Sequence, residues 1–471
     1  PYIHQHYVIQ TYLKPVMHVS LVKPTGSILS SRVINNLGIK TIIEYRGVGN
    51  AVQVFIMDQV PDYLTLIDPS YFEDWIKLGK NIAKLIKIYR RILSKLGHKP
   101  HDEHFNSLVK AVVDRWLNAY GPITPLLMDD DITDIYIDTN GVRVSHRDYG
   151  LCFVRLSEVK VIRPVRLIPL KLTESTLTIG DLVNRVAINV SRRTRTPITA
   201  YMPLVSVTDP EYKVRFTVST MPVSQTSVHI RILPSKPWTL PMLVKLGMLT
   251  VNQAALLWKL ADEKVPILIG GPMGSGKTSL ANAIAMMLKP STLKVLIMDV
   301  DEMNLPGHLS IKLFERRSFG LGVKPITKDE LIAHALRMGA DYVIVNEVRE
   351  PGEVKAWLNA VTTGHGGITT FHADDYQQMV RRLSVLAPGS EEVLKNIIVV
   401  IVGSELVPVS IGGNLRVMRR LRYVKDIIVP SEVNEEYLSI KDDLHLRRNI
   451  IGGLMDASID QLLSTLGKLY S

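Results

Sequence analysis

Apolar and polar positions follow three different rhythms along this chain. Between Trp75 and Leu96 they repeat at helical spacing. Leu78, Ile82, Leu85, Tyr89, Ile92 and Leu96 fall on one stripe. Lys77, Lys80, Lys84, Lys87 and Arg91 fall on a roughly opposite one, which predicts an amphipathic helix. Farther on the rhythm has period two. Tyr212, Val214, Phe216 and Val218 alternate with Lys213, Arg215, Thr217 and Ser219, and Val228, Ile230 and Ile232 alternate with His229 and Arg231. Such alternation predicts half-buried antiparallel strands with a basic outer face. Ile132–Asp138 and Val142–Ser145 flank Asn140-Gly141, which predicts a hairpin. From Val265 onward the apolar residues form short continuous runs alternating with helical stretches. That pattern predicts a mostly parallel, fully buried sheet.

The chain therefore divides into a mixed, partly helical extension (1–100), an α+β domain (101–233) and an α/β domain (242–471). The residues 234–241 hold Pro234, Pro237 and Pro241 beside Trp238 and read as a linker. A length of 471 residues suits about three domains. No internal repeat or low-complexity segment is visible.

Four apolar runs of the last region end in chemistry. The first, Val265–Ile269, leads into Gly271, Pro272, Met273, Gly274, Ser275, Gly276, Lys277 and Thr278 and then a helical stretch from Ser279. Glycines there let backbone N–H groups close around phosphate oxygens, and the helix start adds its positive end. Lys277 is expected to neutralise phosphate charge and Thr278 to hold Mg²⁺. The second, Lys294–Met298, ends in Asp299, Asp301 and Glu302. The third, Tyr342–Val345, ends in Asn346, Glu347 and Arg349. The fourth, Gly367–Phe371, is preceded by His365 and followed by His372. Ligands of open α/β sheets bind beyond the carboxyl ends of the strands, so all four clusters are expected at one nucleotide site. Glu347 is the candidate to polarise a water. Asn346 stands where an acid is usual, and Asp299 or Glu302 would supply the missing carboxylate to the metal. His365 and His372 are candidates for sensing the terminal phosphate. Arg316, Arg317, Arg337 and Arg349 lie near these clusters, either for a neighbouring subunit or in ordinary ion pairs.

Charge and cysteine content narrow the setting. The net charge of +11 favours an acidic partner, and the basic helix is either a solvated face or a dock for an anionic membrane surface. Basic charge alone does not make a nucleic-acid module, and none is visible. One cysteine, Cys152, excludes internal disulfides and multi-cysteine zinc sites. No apolar run approaches the roughly 20 residues of a membrane span, and the first residues show no secretory signal. A cytoplasmic protein is expected.

At these motifs the chain resembles the secretion and type IV filament motor ATPases, the superfamily of secretion ATPases, pilus extension and retraction motors and the archaellum motor. GPMGSGKT looks like the family's Walker A motif and VLIMDVDEMNLP like its aspartate box. ADYVIVNEVRE looks like its Walker B motif and TTGHGGITTFHADD like its histidine box. YGPITPLLMDDDITDIY and VSHRDYG are similar to the start of its N-terminal domain, and Met418–Asp426, with Arg419, Arg420 and Arg422, to its basic segment. The resemblance implies a RecA-like P-loop ATPase domain, ATP and Mg²⁺ as ligands, and a homo-hexameric ring. It also implies work against a polytopic membrane platform protein at the inner face of the cell membrane. By motif, Lys277, Glu347 and Glu302 are implied in catalysis and Asp299 with Thr278 in metal binding. Gly271 to Ser279, His365 and His372 are implied in nucleotide binding. Arginine fingers are implied at Arg215 and Arg231, with Lys213 as an alternative. Two departures stand out. Met298 replaces the first acid of the aspartate box, and the missing tetracysteine zinc subdomain points to a zinc-free, archaeal-type branch. A conjugation-type DNA-transfer ATPase is the alternative within the superfamily, and a small-molecule kinase the alternative outside it.

Overall fold

A computed structural model describes residues 24–49, 51–58, 103–155, 159–165, 168–233, 236–316, 324–411, 415–430 and 441–470, with helical residues Lys87, Arg90, Arg91 and Ser94. The other residues of the basic helix candidate lie outside this set. The chain forms two compact units, residues up to 233 with 408–419, and 234–407 with 420–471.

The first unit is built on nine strands. These are β1 (Ser27–Asn36), β2 (Ile39–Val48), β3 (Ala51–Asp58), β4 (Ile132–Asp138), β5 (Gly141–His146), β6 (Gly150–Val154), β9 (Leu204–Asp209), β10 (Val214–Ser219) and β11 (Ser227–Ile232). Their order is β1-β2-β3-β6-β5-β4-β11-β10-β9. A separate pair, β7 (Val159–Val165) and β8 (Ile168–Leu177), is antiparallel. Every neighbouring pair in the large sheet is antiparallel except β3 with β6. That parallel pair corrects the separation of residues 1–100 from the second region. Val52 pairs with Cys152 and Val54 with Val154, so β1–β3 extend the same sheet. The alternation read in β10 and β11 holds: Val214, Phe216, Val218, Val228 and Ile230 are buried. They pack under helix α2 (Ile179–Thr194) through Leu182, Val183, Val186 and Val190. Thr178 and Asp181 form a capping box that starts α2. Helix α1 is Glu103–Leu117, and a 3-10 helix follows at Gly121–Met128. In the β4–β5 hairpin the two loop residues are Thr139 and Asn140, and Gly141 already pairs with Asp138. Asp138 Oδ1 accepts the amides of Asn140 (2.7 Å) and Gly141 (3.0 Å), which draws the turn one residue forward.

His146, 6 % exposed, is stacked on Tyr149 at 4.4 Å and accepts the amides of Asp148 (3.1 Å) and Tyr149 (3.3 Å) at Nδ1. Burial pushes its pKa down to about 4, against the pull of Asp129 and Asp148 and helped by Arg32 and Arg147. Below an unfolded pKa near 6.5 the unfolded imidazole takes a proton that the folded one refuses. Stability therefore rises with pH through the window from about 4 to 6.5 and is lost as pH falls through it, by up to about 3 kcal/mol. Denaturant titrations at pH 7 and pH 4.5 should show a smaller acid loss for His146→Asn, which keeps an acceptor, than for the wild type.

The second unit carries β12 (Ile267–Gly270), β13 (Lys294–Met298), β14 (Ser310–Phe314), β15 (Tyr342–Val345), β16 (Gly366–Phe371) and, apart from residues 408–419, β17 (Ile398–Ile411) and β18 (Leu415–Ile428). The order is β14-β13-β15-β16-β12-β17-β18, parallel from β14 to β17. Helices α3 (Leu240–Lys245), α4 (Val251–Asp262) and α5 (Lys277–Ala285) cover one face, joined by α10 (Lys441–Gly453) and α11 (Ile459–Tyr470). Helices α6 (Lys328–Arg337), α7 (Pro351–Thr362), α8 (Tyr376–Leu386) and α9 (Ser390–Leu394) cover the other. The expected linker ends early. Thr239 caps α3, and Pro241 sits in the first helical turn, where no amide donor is needed. The two last helices are tied to α4 by polar bonds. Trp258 donates to Tyr470 (3.0 Å), and Arg447 bonds Asp262 (2.8 Å) while stacking on Trp258. Among the described residues no helix is long and apolar enough to cross a membrane.

Candidate nucleotide site

The strand order explains the site. The chain leaves β12 for β13 by passing over β15 and β16, so β12 has strands of later sequence on both sides. Such a reversal opens a crevice at the carboxyl ends. Register then sets the neighbours. Gly270 pairs with Phe371, so Gly271 and His372 leave the sheet side by side. Val345 pairs with Thr369 and with Ile297, so the turns carrying Glu347 and Asp299 follow at the same edge.

The Gly271–Gly276 loop is shaped by its glycines. A methyl on Gly271 would come within 2.6 Å of the Val402 carbonyl oxygen, and Gly276 starts α5 at φ +90°. Ser275 is buried and donates to the Pro272 carbonyl at 2.8 Å. Met273 is exposed at the tip. Thr278 and Ser279 lie in the first turn of α5. Arg422 Nε, from β18, donates to the Gly274 carbonyl at 2.9 Å.

Lys277 folds back into this loop, 8 % exposed. Its Nζ donates to the carbonyls of Gly271 and Pro272, both at 2.9 Å, and meets His372 Nδ1 at 3.3 Å. Burial lowers the Lys277 pKa, while the carboxylates of Glu347 and Asp374 pull it back. An ammonium has no acceptor, so His372 Nδ1 must accept. Its Nε2 then carries the proton and lies 2.8 Å from Glu347 Oε1, an oxygen that is buried without a hydrogen-bond partner. Burial and then the positive charge of Lys277 lower the His372 pKa, which keeps the ring neutral between them. Arg382 steadies this histidine by bonding its carbonyl and covering the Phe371 ring. The other oxygen of Glu347, Oε2, accepts Arg349 Nη2 at 2.5 Å. Its hydrogen bond to Glu347 is the largest cause raising the Arg349 pKa.

Asp299 reaches the same turn. Its Oδ1 accepts Asn346 Nδ2 at 2.6 Å, and its Oδ2 lies 3.8 Å from Arg349. Asn346 is 4 % exposed, and its Oδ1 is buried without a hydrogen-bond partner. An orphan acceptor beside a carboxylate fits a hydrated divalent cation, whose waters donate hydrogen bonds. Among the described residues no three His, Cys, Asp or Glu side chains cluster as metal ligands. Asp301 instead pairs with Lys312 at 2.7 Å. Glu302, half-buried in the same loop, has its amide on the Val300 carbonyl at 2.8 Å.

One expected member is not brought to the site. His365 precedes β16, and its Nδ1 donates to the Ala340 carbonyl at 2.7 Å. Gly366 pairs with Tyr342, the first residue of β15, so His365 lies at the amino ends of the strands. A six-residue strand at roughly 3.3 Å per residue separates it from His372 by about 20 Å. In the first unit, Arg215 and Arg231 stand opposite each other on β10 and β11. Arg215 bonds Ser206 (3.1 Å), and Arg231 bonds Asp134 (3.2 Å), which also takes His229 at 2.9 Å. Lys213, just before β10, has φ +52°. Sequence reasoning missed Arg349 as the partner of Glu347, and Arg382. Arg422 was visible only as part of a basic segment.

Residues 187–416 match the family described as type II/IV secretion system protein. An uncharacterized protein of Methanocaldococcus jannaschii is 36% identical over 142 residues, 30% of this chain and 52% of that protein. The conjugal transfer protein TrbB of Rhizobium radiobacter is 28% identical over 229 residues, 48% of this chain and 68% of that protein. The chain spans about half, or less, of the length of the curated Methanocaldococcus relatives it matches. Among solved structures, the ATPase DotB of Legionella pneumophila aligns over 74% of this chain and 86% of its own, with TM-score 0.44 and 18% identity.

Proposed function

We propose, from the match of residues 187–416 to the family described as type II/IV secretion system protein, that the chain is an ATP-hydrolysing ring motor. It powers assembly of a type IV pilus-like filament, or secretion, from the inner face of the cytoplasmic membrane. The observation that carries this reading is the close approach of three side chains: His372 Nδ1 accepts from Lys277, and His372 Nε2 lies 2.8 Å from Glu347 Oε1. It joins the residue suited to phosphate with the residue suited to the attacking water.

The residues divide the work of phosphoryl transfer. Amides of the 271–276 loop and the start of α5 receive the phosphates. Lys277 leaves its two carbonyl partners for the phosphate oxygens, which frees His372 Nδ1. Glu347 orients the water. Thr278, with the Asp299–Asn346 pair, would hold Mg²⁺, which would supply charge stabilisation at the phosphates. Glu302 assists as a second acid. Arg215 and Arg231, paired in register on one sheet, act as arginine fingers, with Lys213 as the alternative. His365 takes no part in this reading.

The proposed assembly is a homo-hexamer that works against a polytopic membrane platform protein. The relatives named for conjugal transfer support a second reading, a DNA-transfer ATPase. Turnover measured with and without DNA, beside the oligomeric state in solution, tests both. The motor reading expects Mg²⁺-dependent release of phosphate, a hexamer and no response to DNA. Salt-sensitive stimulation by DNA would favour the second reading, and absence of hydrolysis in the assembled ring would overturn both.

A further inference from the structure

Lys328 is the first residue of α6 and is 1 % exposed. A lysine is poorly placed there by local rules, because the helix start is electropositive and favours acids such as Asp329 and Glu330. Its side chain does not serve the helix. Nζ donates to the backbone carbonyl of Glu347 at 2.9 Å, a buried bond across 19 residues. Two carboxylates balance the buried charge, Glu315 at 3.8 Å and Glu353 at 4.0 Å.

Other backbone groups of the same turn are held as well. The Asn346 amide bonds the Ile297 carbonyl (3.0 Å), and its carbonyl takes Thr370 Oγ1. The Val348 amide bonds the Thr370 carbonyl (3.1 Å). Glu353 Oε2 accepts the amides of Arg349 (2.7 Å) and Glu350 (3.3 Å). The Glu347 carbonyl is held by the lysine side chain that α6 sends to this turn. Removing that donor leaves a buried acceptor unpaired, and the peptide can rotate to find another partner. The Glu347 side chain would rotate with it.

We infer that Lys328 is a positioning residue for Glu347, setting the direction of the carboxylate through the backbone of its turn. It touches neither nucleotide nor water. The inference rests on the proposed hydrolytic reading and adds a residue with no place in it. Its signature is a split between rate and binding. A misplacement of about 1 Å at a reacting group costs about 100-fold in rate, whereas the phosphate loop lies on β12, two strands away.

The test compares Lys328→Met, Lys328→Gln and the double variant Lys328→Met/Glu315→Gln with the wild type and Glu347→Gln. The double variant removes one carboxylate with the ammonium, so it folds without the charge imbalance of the single change. Turnover, KM for ATP, binding of a fluorescent ADP analogue and Tm are measured for each. The expected result is a kcat lowered by about 10- to 100-fold in Lys328→Met and the double variant. Nucleotide affinity and KM stay within about threefold. Lys328→Gln, which keeps an N–H donor, falls between. Turnover within twofold of the wild type in the folded double variant overturns the inference alone. So does parallel loss of turnover, affinity and Tm, which marks an ordinary core residue. Absence of wild-type hydrolysis overturns the hydrolytic reading and this inference together.

Discussion

Glu347→Gln is expected to lower ATP turnover by about 100- to 10,000-fold and to leave nucleotide binding within a few-fold of the wild type. Glutamine has the size of glutamate and can still take the Arg349 hydrogen bond on its carbonyl oxygen. It cannot attract the proton of a water, so only the chemical step suffers. The carboxylate is 9 % exposed, with Arg349 bonded to one oxygen and His372 Nε2 2.8 Å from the other. Its position beyond β15 keeps it off the loop that would grip the phosphates. Phosphate release and equilibrium binding of a fluorescent ADP analogue read the two effects separately. Wild-type-like turnover in Glu347→Gln would remove the residue from the mechanism.

The second large effect belongs to Lys277. Lys277→Ala should weaken ATP and ADP binding by at least about 100-fold, or about 3 kcal/mol, through loss of a charge-assisted contact to phosphate. Turnover should vanish with it. The fold should tolerate the change, because burial already opposes the charged form of this ammonium and its partners at Gly271 and Pro272 are backbone carbonyls of its own loop. Calorimetric titration and a melting curve on the same preparation distinguish lost binding from lost structure. Near-normal affinity with an intact fold would mean that the 271–278 loop does not hold the phosphates.

The two predictions draw on the part of the molecule that was readable from sequence. The runs at Ile267, Lys294, Tyr342 and Gly366 are short, apolar and each followed by polar residues. Parallel pairing of such runs needs no further information to bring Lys277, Asp299, Glu347 and His372 to one edge. The alternation in β10 and β11 was equally plain, because one face of each strand is buried. His365 was not readable in this way. A histidine just before a strand and one just after it look alike in sequence, yet strand direction puts them at opposite ends. The junction of β3 with β6 was hidden for another reason. Parallel pairing across about 100 intervening residues leaves no local periodicity to read. Lys328 gave no signal, since a lysine near a helix start normally faces solvent and only the tertiary fold reveals the Glu347 carbonyl above it.

The bonds that tie α11 to α4 carry a consequence for how the second unit is made. Trp258 and Tyr470 are 212 residues apart. Contacts this distant in sequence must close a long loop before they contribute anything, which slows folding and exposes intermediates. On the ribosome, the segments that carry Lys277, Glu347 and His372 are all synthesised before residue 470. They wait with the apolar side of α4 uncovered, at roughly 5–20 residues per second. Completion of this hydrophobic face is therefore a late event, possible only once residues 441–470 have been made. It makes the interval before α11 docks the period when a nascent chain most needs protection from its neighbours.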